Sequence, residues 1–256
     1  MDAIANFLLW HPIFLISKKE GDDMYQKRSV MRFLLDLLYP NRCPCCNGFI
    51  CWDALICTSC MQALHVSEDL FCPRCGKTYS DCICSADLPY DRAFAMSIYQ
   101  KPARNGILSL KTGTNLNFGE YAGIYLADQI ERQSLQESLD MIIPVPSTAS
   151  KRRERGYNQA EVIGKALGKR IHVPIRTDIL WKDKQGKQQH LLSAEERRKN
   201  IQQFQIHPVD LTGYHIVLCD DVLTTGSTIC RCASLLKQCG AEWVIVAVAA
   251  TTEQKE

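Results

Sequence analysis

Ten of the fourteen cysteines in this 256-residue chain lie in one short stretch, from Cys43 to Cys84. A secreted protein held together by disulfide bonds does not normally confine its cysteines to about a sixth of its length. The remaining four are near the C-terminus, at Cys219, Cys230, Cys232 and Cys239. This distribution predicts a small metal-bound module joined to an ordinary intracellular domain.

The cysteine-rich stretch contains two similar half-motifs. Cys43-Pro-Cys-Cys46-Asn-Gly is followed by Cys57-Thr-Ser-Cys60, and Cys72-Pro-Arg-Cys75-Gly is followed by Cys82-Ile-Cys84. Two thiolates two residues apart can face one metal, Pro stiffens the turn, and Gly or Asn accepts the left-handed backbone that follows. We therefore predict two structural four-cysteine zinc sites. The first knuckle comprises Cys43, Cys46, Cys57 and Cys60, and the second knuckle comprises Cys72, Cys75, Cys82 and Cys84.

Several points about the cysteines stay open at this level. The four pairs can also interleave around two ions, and Cys45 or Cys51 can replace a neighbouring ligand. The four C-terminal cysteines lie in an apolar strand or in and just after a helix, where a thiol behaves as a small buried apolar side chain. We expect them to pack in the core without binding metal.

The ends and composition of the chain narrow its class. A charge of +2 and a hydrophobic content of 46% argue against a polybasic protein and against global disorder. The apolar run at residues 3–16 is shorter than the roughly 20 residues that span a bilayer, and it lacks the features of a secretory signal. We expect residues 1–30 to be a disordered tail or misassigned start, no transmembrane segment, and a cytoplasmic protein. An amphipathic helix and the knuckles would occupy residues 31–88.

Residues 89–256 show an alternating α/β pattern. Apolar strands are predicted at 93–99, 140–146, 216–219 and 243–250, and helices at 102–111, 118–133, 158–170 and 227–238. The predicted helix at 158–170 begins with Asn158-Gln-Ala-Glu161, which resembles a capping box. Continuous apolar strands between helices indicate a mostly parallel sheet with helices on both faces. Ligands of such sheets bind at the carboxyl ends of the strands.

One predicted strand end carries two carboxylates and a polar turn. Asp220 and Asp221 follow the apolar strand, and Thr224-Thr-Gly-Ser-Thr228 then opens a helix. Backbone N–H groups and hydroxyls at the positive end of a helix form a phosphate cradle. The adjacent carboxylates suit ribose hydroxyls or a hydrated Mg²⁺. A sugar phosphate satisfies both halves of this segment.

A second strand end carries a cluster of cations. The strand at 140–146 leads into Pro146, Ser147 and Thr148, which are followed within seven residues by four basic side chains at Lys151, Arg152, Arg153 and Arg155. Alone, such a cluster is most often a solvated helix face. Its place at a strand end, in a chain that also carries the acidic motif, favours a role in binding phosphate.

Taken together, these motifs resemble the ComF family. The resemblance rests on the knuckles, on the Pro-Val-Pro…Arg-Gly-Tyr-Asn-Gln stretch and on Asp-Asp-Val-Leu-Thr-Thr-Gly, which is similar to the phosphoribosyl-pyrophosphate (PRPP) motif of type I phosphoribosyltransferases. It implies a zinc module, a type I phosphoribosyltransferase-like domain, and a link to DNA uptake in natural competence. The implied PRPP-binding residues are Asp220, Asp221, Val222, Leu223, Thr224, Thr225, Gly226, Ser227 and Thr228.

The resemblance also implies how such a site would work. The loop at Pro146–Arg155 would bind pyrophosphate with Mg²⁺, and Asp220 and Asp221 would orient the ribose near the developing cation at C1. Gln189, Ser193, Arg197 and Asn200 match a segment in the place of the mobile catalytic loop of related transferases. Leu110-Lys-Thr-Gly-Thr-Asn matches its family segment only loosely, so no site residue is carried over from it.

The charge map is compatible with more than one function. Residues 141–207 hold fourteen basic and six acidic side chains, a local +8, so the rest of the chain carries −6. This field would attract PRPP, and it would also attract single-stranded DNA, with Tyr157 available for stacking.

The leading hypothesis is a PRPP-binding protein that acts in DNA uptake together with other uptake proteins and transfers a phosphoribosyl group to an unknown acceptor. The alternatives are a nucleotide-salvage or biosynthetic transferase, and a non-catalytic PRPP sensor that binds single-stranded DNA.

Overall fold

The computed structural model describes residues 33–34, 36–64, 68–113, 115–183 and 203–253. The predicted tail at 1–30 lies outside these residues. The chain divides into two compact units, Met1–Asn41 with Cys51–Ala54, and Arg42–Ile50 with Leu55–Glu256. In the part of the chain that is described, no helix has the length and apolar character needed to cross a membrane.

One asparagine links the described parts of the smaller unit. Residues 33–34 and 36–38 are helical, as predicted. The Asn41 backbone N–H donates to Asp36 Oδ1 at 2.6 Å, and its side-chain amide donates to the carbonyls of Cys51 at 2.9 Å and Ala54 at 2.7 Å. These bonds join the end of the helix to the 51–54 segment.

The larger unit contains the α/β domain and both knuckles. Among the described residues of this unit, the helices are α1 (Thr58–Leu64), α2 (Ala103–Thr112), α3 (Asn117–Arg132), α4 (Ala149–Arg155), α5 (Gln159–Ile171) and α6 (Ser227–Gln238). The strands there are β1 (Arg92–Ile98), β2 (Met141–Pro144), β3 (Leu180–Lys182), β4 (Phe204–Ile206), β5 (His215–Leu223) and β6 (Trp243–Thr251).

Four of these strands form one parallel sheet in the order β1-β6-β5-β2. The predicted parallel α/β architecture is confirmed, and the predicted elements agree with the structure within two residues except at β5. That strand runs four residues beyond its predicted end, so Asp220 and Asp221 lie inside it. The antiparallel pair β3-β4 was not predicted, because three-residue strands carry too little pattern to be recognised.

The two faces of the sheet bury separate hydrophobic clusters. Successive strand residues point to opposite faces, so Val217 and Cys219 pack on one side while Ile216 and Leu218 pack on the other. Helices α2, α3 and α5 cover the first face, together with Cys43 and Cys60 of the first knuckle. Helix α6 and the β3-β4 pair cover the second face, together with Cys72 and Cys75 of the second knuckle.

Candidate functional site

The acidic pair lies at the carboxyl end of β5, beside the neighbouring strand β6. Asp220 is in register with Val248, and the Asp221 backbone N–H donates to Asp220 Oδ1 at 2.8 Å. Both residues are partly exposed, with 15% of the Asp221 side chain accessible to solvent. Two adjacent carboxylates are thus held at a strand end where a ligand can reach them.

Two lysines from distant parts of the chain face this pair. Lys111, in the last turn of α2, places its Nζ 3.0 Å from Asp221 Oδ2. Lys182, at the end of β3, has its Nζ 4.3 Å from the centre of the Phe204 ring and is close enough to Asp220 to affect its ionisation. Although Asp220 is partly exposed, desolvation by the surrounding protein raises its pKa well above the usual range. The Asp221 charge raises this pKa further, and both lysines oppose the shift.

The polar turn after β5 leads directly into α6. Gly226 occupies the N-cap position with a left-handed backbone (φ 79°), and no side chain caps this helix end. The Thr225 and Ser227 hydroxyls lie 2.8 Å apart, and Thr224 and Thr225 are exposed. The first turn of a helix leaves amide N–H groups without intrahelical acceptors, and the helix dipole favours an anion there. The turn therefore has the donors expected of a phosphate cradle.

The loop after β2 lies next to this turn because β2 and β5 are neighbouring strands. The Val145 backbone N–H donates to the Cys219 carbonyl at 2.8 Å, immediately before Asp220. The buried Asn158 side chain donates to the Val145 carbonyl at 2.9 Å. The predicted capping box is wrong: Asn158 is the N-cap residue of α5, but its side chain makes no capping bond because it holds this loop instead.

The cations of this loop differ in what they contact. Arg152 pairs with the buried Glu161 at 2.8 Å, which holds its guanidinium against α5. Lys151 and Arg153 are exposed, Arg155 is partly exposed, and none of the three forms an ion pair with an acidic side chain among the described residues. Thr148 caps α4 by accepting from the Lys151 backbone N–H at 3.4 Å. The Ser147 Oγ is buried and has no partner within the described part of the chain.

The eight predicted zinc ligands form two separate groups. Cys43, Cys46, Cys57 and Cys60 lie together, as do Cys72, Cys75, Cys82 and Cys84, with the Sγ atoms of each group within 4.8 Å of one another. The Sγ separations are 3.7 Å for Cys46–Cys57, 3.5 Å for Cys72–Cys84 and 3.7 Å for Cys75–Cys82. A tetrahedral ZnS₄ centre with Zn–S bonds of about 2.3 Å requires about 3.8 Å. The thiols therefore fit structural zinc.

This grouping resolves the alternatives left open by the spacing. The two knuckles do not interleave, and neither Cys45 nor Cys51 belongs to a ligand group. Cys45 is buried in the core beside the first knuckle, and Cys51 is exposed. Cys219 and Cys232 are fully buried in the sheet and in α6, and Cys230 and Cys239 are partly buried.

Comparison with known proteins agrees with this geometry. Residues 123–256, more than half of the chain, match the phosphoribosyl transferase domain family, and residues 34–90 match the double zinc ribbon domain. The DNA utilization protein YhgH of Escherichia coli O157:H7 is 30% identical over 200 residues, which cover 75% of this chain and 88% of that protein. The chain belongs to the ComF family.

Two further relatives are named as competence proteins. Competence protein F of Haemophilus influenzae is 26% identical over 215 residues, covering 74% of this chain and 94% of that protein. Competence protein ComFC of Bacillus subtilis is 25% identical over 201 residues, covering 73% of this chain and 80% of that protein. This ComF protein thus combines a double zinc ribbon with a phosphoribosyltransferase domain.

One predicted part of the ComF site lies outside the described residues. Gln189, Ser193, Arg197 and Asn200 fall between residues 184 and 202. The flanking strands β3 and β4 pair with each other, and the Asp183 backbone N–H donates to the Gln203 carbonyl at 3.0 Å. The two ends of this segment are therefore close together, and a role for it as the mobile loop stays a prediction.

Sequence reasoning did not identify the two lysines that face the acidic pair. Lys111 lies in the Leu110-Lys-Thr-Gly segment, whose loose match to the family was a usable signal that pointed to this position. Lys182 has no such signal, because nothing in its spacing links it to a residue 38 positions later along the chain. Only the packing of the β3-β4 pair against α6 brings it to the site.

Proposed function

We propose that this ComF protein binds PRPP as its Mg²⁺ complex at the carboxyl ends of β5 and β2. The observation that carries the proposal is that Asp220 and Asp221, near the end of β5, are followed directly by the Gly226 turn at the start of α6. The turn at 224–228 would hold the 5′-phosphate through backbone N–H groups and hydroxyls. Carboxylates repel phosphate, so Asp220 and Asp221 would accept hydrogen bonds from the ribose hydroxyls or bind hydrated Mg²⁺.

The pyrophosphate group would lie toward the loop after β2. Lys151, Arg153 and Arg155 make no ion pairs with acidic side chains in the described part of the chain, whereas Arg152 is held by Glu161. We assign charge neutralisation to the first three and a structural contact to Arg152. A phosphate oxygen that reaches the loop would also provide an acceptor for the Ser147 hydroxyl, which is costly to bury without one.

The same arrangement supports transfer of the phosphoribosyl group. The bond from ribose C1 to the pyrophosphate oxygen would break, with its electron pair leaving on pyrophosphate. A nucleophilic acceptor would form the new bond to C1 and lose its proton. Because positive charge develops on the ribose in the transition state, Asp220 and Asp221 would stabilise it electrostatically. The Mg²⁺ ion and the basic loop would stabilise the leaving group.

We further propose that the protein acts in DNA uptake in the cytoplasm. Three relatives are named for competence or DNA utilization. Residues 141–207 carry a net charge of +8, and exposed Lys151 and Arg153 lie within that region. Phosphate neutralisation by such cations is the main source of affinity for single-stranded DNA.

Isothermal titration with PRPP and Mg²⁺ tests the first proposal. Asp220→Asn/Asp221→Asn should weaken binding at least about 100-fold, since hydrogen bonds to charged groups contribute about 1.5–3 kcal/mol each. The matched control is Asp178→Asn, an exposed carboxylate paired with Arg176 at 2.8 Å, and it should bind as the wild type does. Wild-type protein that is folded and zinc-loaded but binds no PRPP would overturn the proposal.

A second assay separates the possible roles of bound PRPP. Pyrophosphate release on addition of free purine or pyrimidine bases would show a salvage-type transferase. Binding of PRPP without pyrophosphate release in the presence of bases or oligo-dT would show a PRPP sensor.

Oligo-dT titration tests the DNA proposal. The variant Lys151→Ala/Arg153→Ala/Arg155→Ala should weaken DNA binding. The control variant Lys165→Ala/Lys169→Ala/Arg170→Ala removes equal charge from α5 and should weaken DNA binding less. Equal losses in both variants would contradict a specific basic surface.

A further inference from the structure

The two knuckles share one backbone design but differ at one position. The Cys43 backbone N–H donates to the Gly48 carbonyl at 2.8 Å, and the Cys72 N–H donates to the Lys77 carbonyl at 2.7 Å. The preceding residue has a left-handed backbone in both cases, Asn47 at φ 63° and Gly76 at φ 72°. Because Gly48 has no side chain, the turn itself does not need the lysine that occupies the equivalent position in the second knuckle.

The Lys77 side chain is directed into the protein rather than toward solvent. It is 2% exposed. Its Nζ donates to the Thr252 carbonyl at 2.6 Å and to Thr252 Oγ1 at 3.2 Å, and it lies 3.5 Å from the Leu223 carbonyl. An ammonium group is costly to bury, so a lysine buried here with its donors satisfied points to a role beyond filling space.

Thr252 connects this lysine to the phosphate-binding turn. The Thr252 backbone N–H donates to the Leu223 carbonyl at 3.0 Å, and the Thr251 hydroxyl donates to the same carbonyl at 3.3 Å. Leu223 is the last residue of β5, and Thr224 begins the turn. Lys77 therefore fixes the strand ends from which the turn starts.

The rest of the second knuckle also packs closely against this part of the sheet. The Ala93 backbone N–H donates to the Pro73 carbonyl at 3.0 Å, and the Tyr90 hydroxyl donates to the Cys75 carbonyl at 3.1 Å. A Cβ on Gly76 would lie 2.8 Å from the Ala93 Cβ, and a Cβ on Gly226 would lie 3.5 Å from Ile83 Cδ1. The knuckle thus touches both the strand and the turn.

We propose that the second knuckle positions the phosphate-binding turn through Lys77 and Thr252, so that zinc in this knuckle is required for full PRPP affinity. Lys77 is a positioning residue, since it would not touch the ligand. Zinc bound by Cys72, Cys75, Cys82 and Cys84 would hold the turn that carries Lys77. The affinity statement rests on the proposed PRPP function, whereas the positioning statement does not.

Amide hydrogen exchange and PRPP titration of the zinc-loaded full chain test this inference. Lys77→Met should speed exchange at residues 224–230 while leaving α3 and the zinc content unchanged, and it should lower PRPP affinity within the roughly 5–150-fold range of typical site couplings. The matched control is Lys237→Met. Lys237 donates to the Glu242 carbonyl at 2.8 Å at the opposite end of β6, and its loss should leave residues 224–230 unchanged.

A second variant pair tests the role of zinc. Cys82→Ser/Cys84→Ser removes two exposed ligands and should reproduce the faster exchange at 224–230, whether or not Lys77→Met folds. The corresponding variant of the first knuckle, Cys46→Ser/Cys57→Ser, should leave exchange at 224–230 unchanged. Wild-type exchange at 224–230 in both folded second-knuckle variants would overturn the inference. If wild-type protein binds no PRPP, the exchange data still decide the positioning statement, and only the proposed function fails.

Discussion

The two knuckles use similar sequences to serve opposite faces of one sheet. The first packs with α2 and α3, where the Asn105 side chain donates to the Cys45 carbonyl at 2.9 Å. The second packs with α6 and the strand ends, where Lys77 reaches Thr252. Helix α2 carries Lys111 to Asp221, while Thr252 holds the end of β5. Two similar cysteine motifs thus pack against different elements, one leading to the acidic pair and the other to the turn after β5.

The largest expected effect comes from removing one zinc from either knuckle. Cys60→Ser and Cys75→Ser each replace a buried ligand, and each should lower the free energy of unfolding by several kcal/mol because structural zinc supplies folding energy directly. Chemical denaturation at fixed free zinc, with metal analysis, measures this. A variant that loses its zinc and keeps wild-type stability would break the comparison, since that knuckle would not support the fold.

A smaller effect is expected where the second knuckle meets the turn. Gly226→Ala places a side chain at φ 79°, which costs about 1–2 kcal/mol, and should lower PRPP affinity roughly tenfold by displacing the turn. Gly213→Ala is the matched control: it has the same φ of 79° but lies before β5, at the other end of the strand. It should lose similar stability in thermal unfolding without losing affinity. Equal affinity losses would show that strain at either end of β5 reaches the site.

The smallest expected effect separates charge from position. Lys111 lowers the pKa of Asp220, so Lys111→Met should raise that pKa and leave more of the carboxyl protonated near neutral pH. The proposed contacts to PRPP require the ionised carboxylate, so wild-type PRPP affinity should rise with pH. Its midpoint should move upward by up to about 1 pH unit in Lys111→Met. Lys77→Met should lower affinity without moving the midpoint, as titrations across pH can check.

The same ionisation has a consequence for stability that serves as a control. A folded-state pKa above the unfolded value means that the native protein binds the Asp220 proton more tightly than the unfolded chain does. The contribution of Asp220 to the free energy of unfolding is therefore present at low pH and is lost as pH rises through the folded-state pKa. As pH rises through this pKa, the free energy of unfolding of Asp220→Asn should therefore increase relative to that of the wild type. An unchanged difference across pH would contradict the raised pKa.

Local spacing was sufficient to predict much of this protein. The ligands of each knuckle lie within about twenty residues, so their grouping followed from chelation geometry, although interleaving had to be excluded by the structure. The α6 helix was predicted at Ser227–Gln238, where it is found. The end of β5 was not predicted correctly. The apolar pattern stops at the two carboxylates, whereas the backbone continues to pair with β6 as far as Leu223.

The sequence by itself determined the cysteine half-motifs, the parallel α/β class and the Asp220–Thr228 motif, because each depends on residues that are close in the chain. Only the tertiary structure decided which distant side chains serve them. Lys111 meets Asp221 across 110 positions, and Lys77 meets Thr252 across 175. Such pairs follow from the order of strands in the sheet and from the face that each knuckle covers. No periodicity encodes them, since a lysine on a surface and one buried against a carbonyl have the same sequence signal.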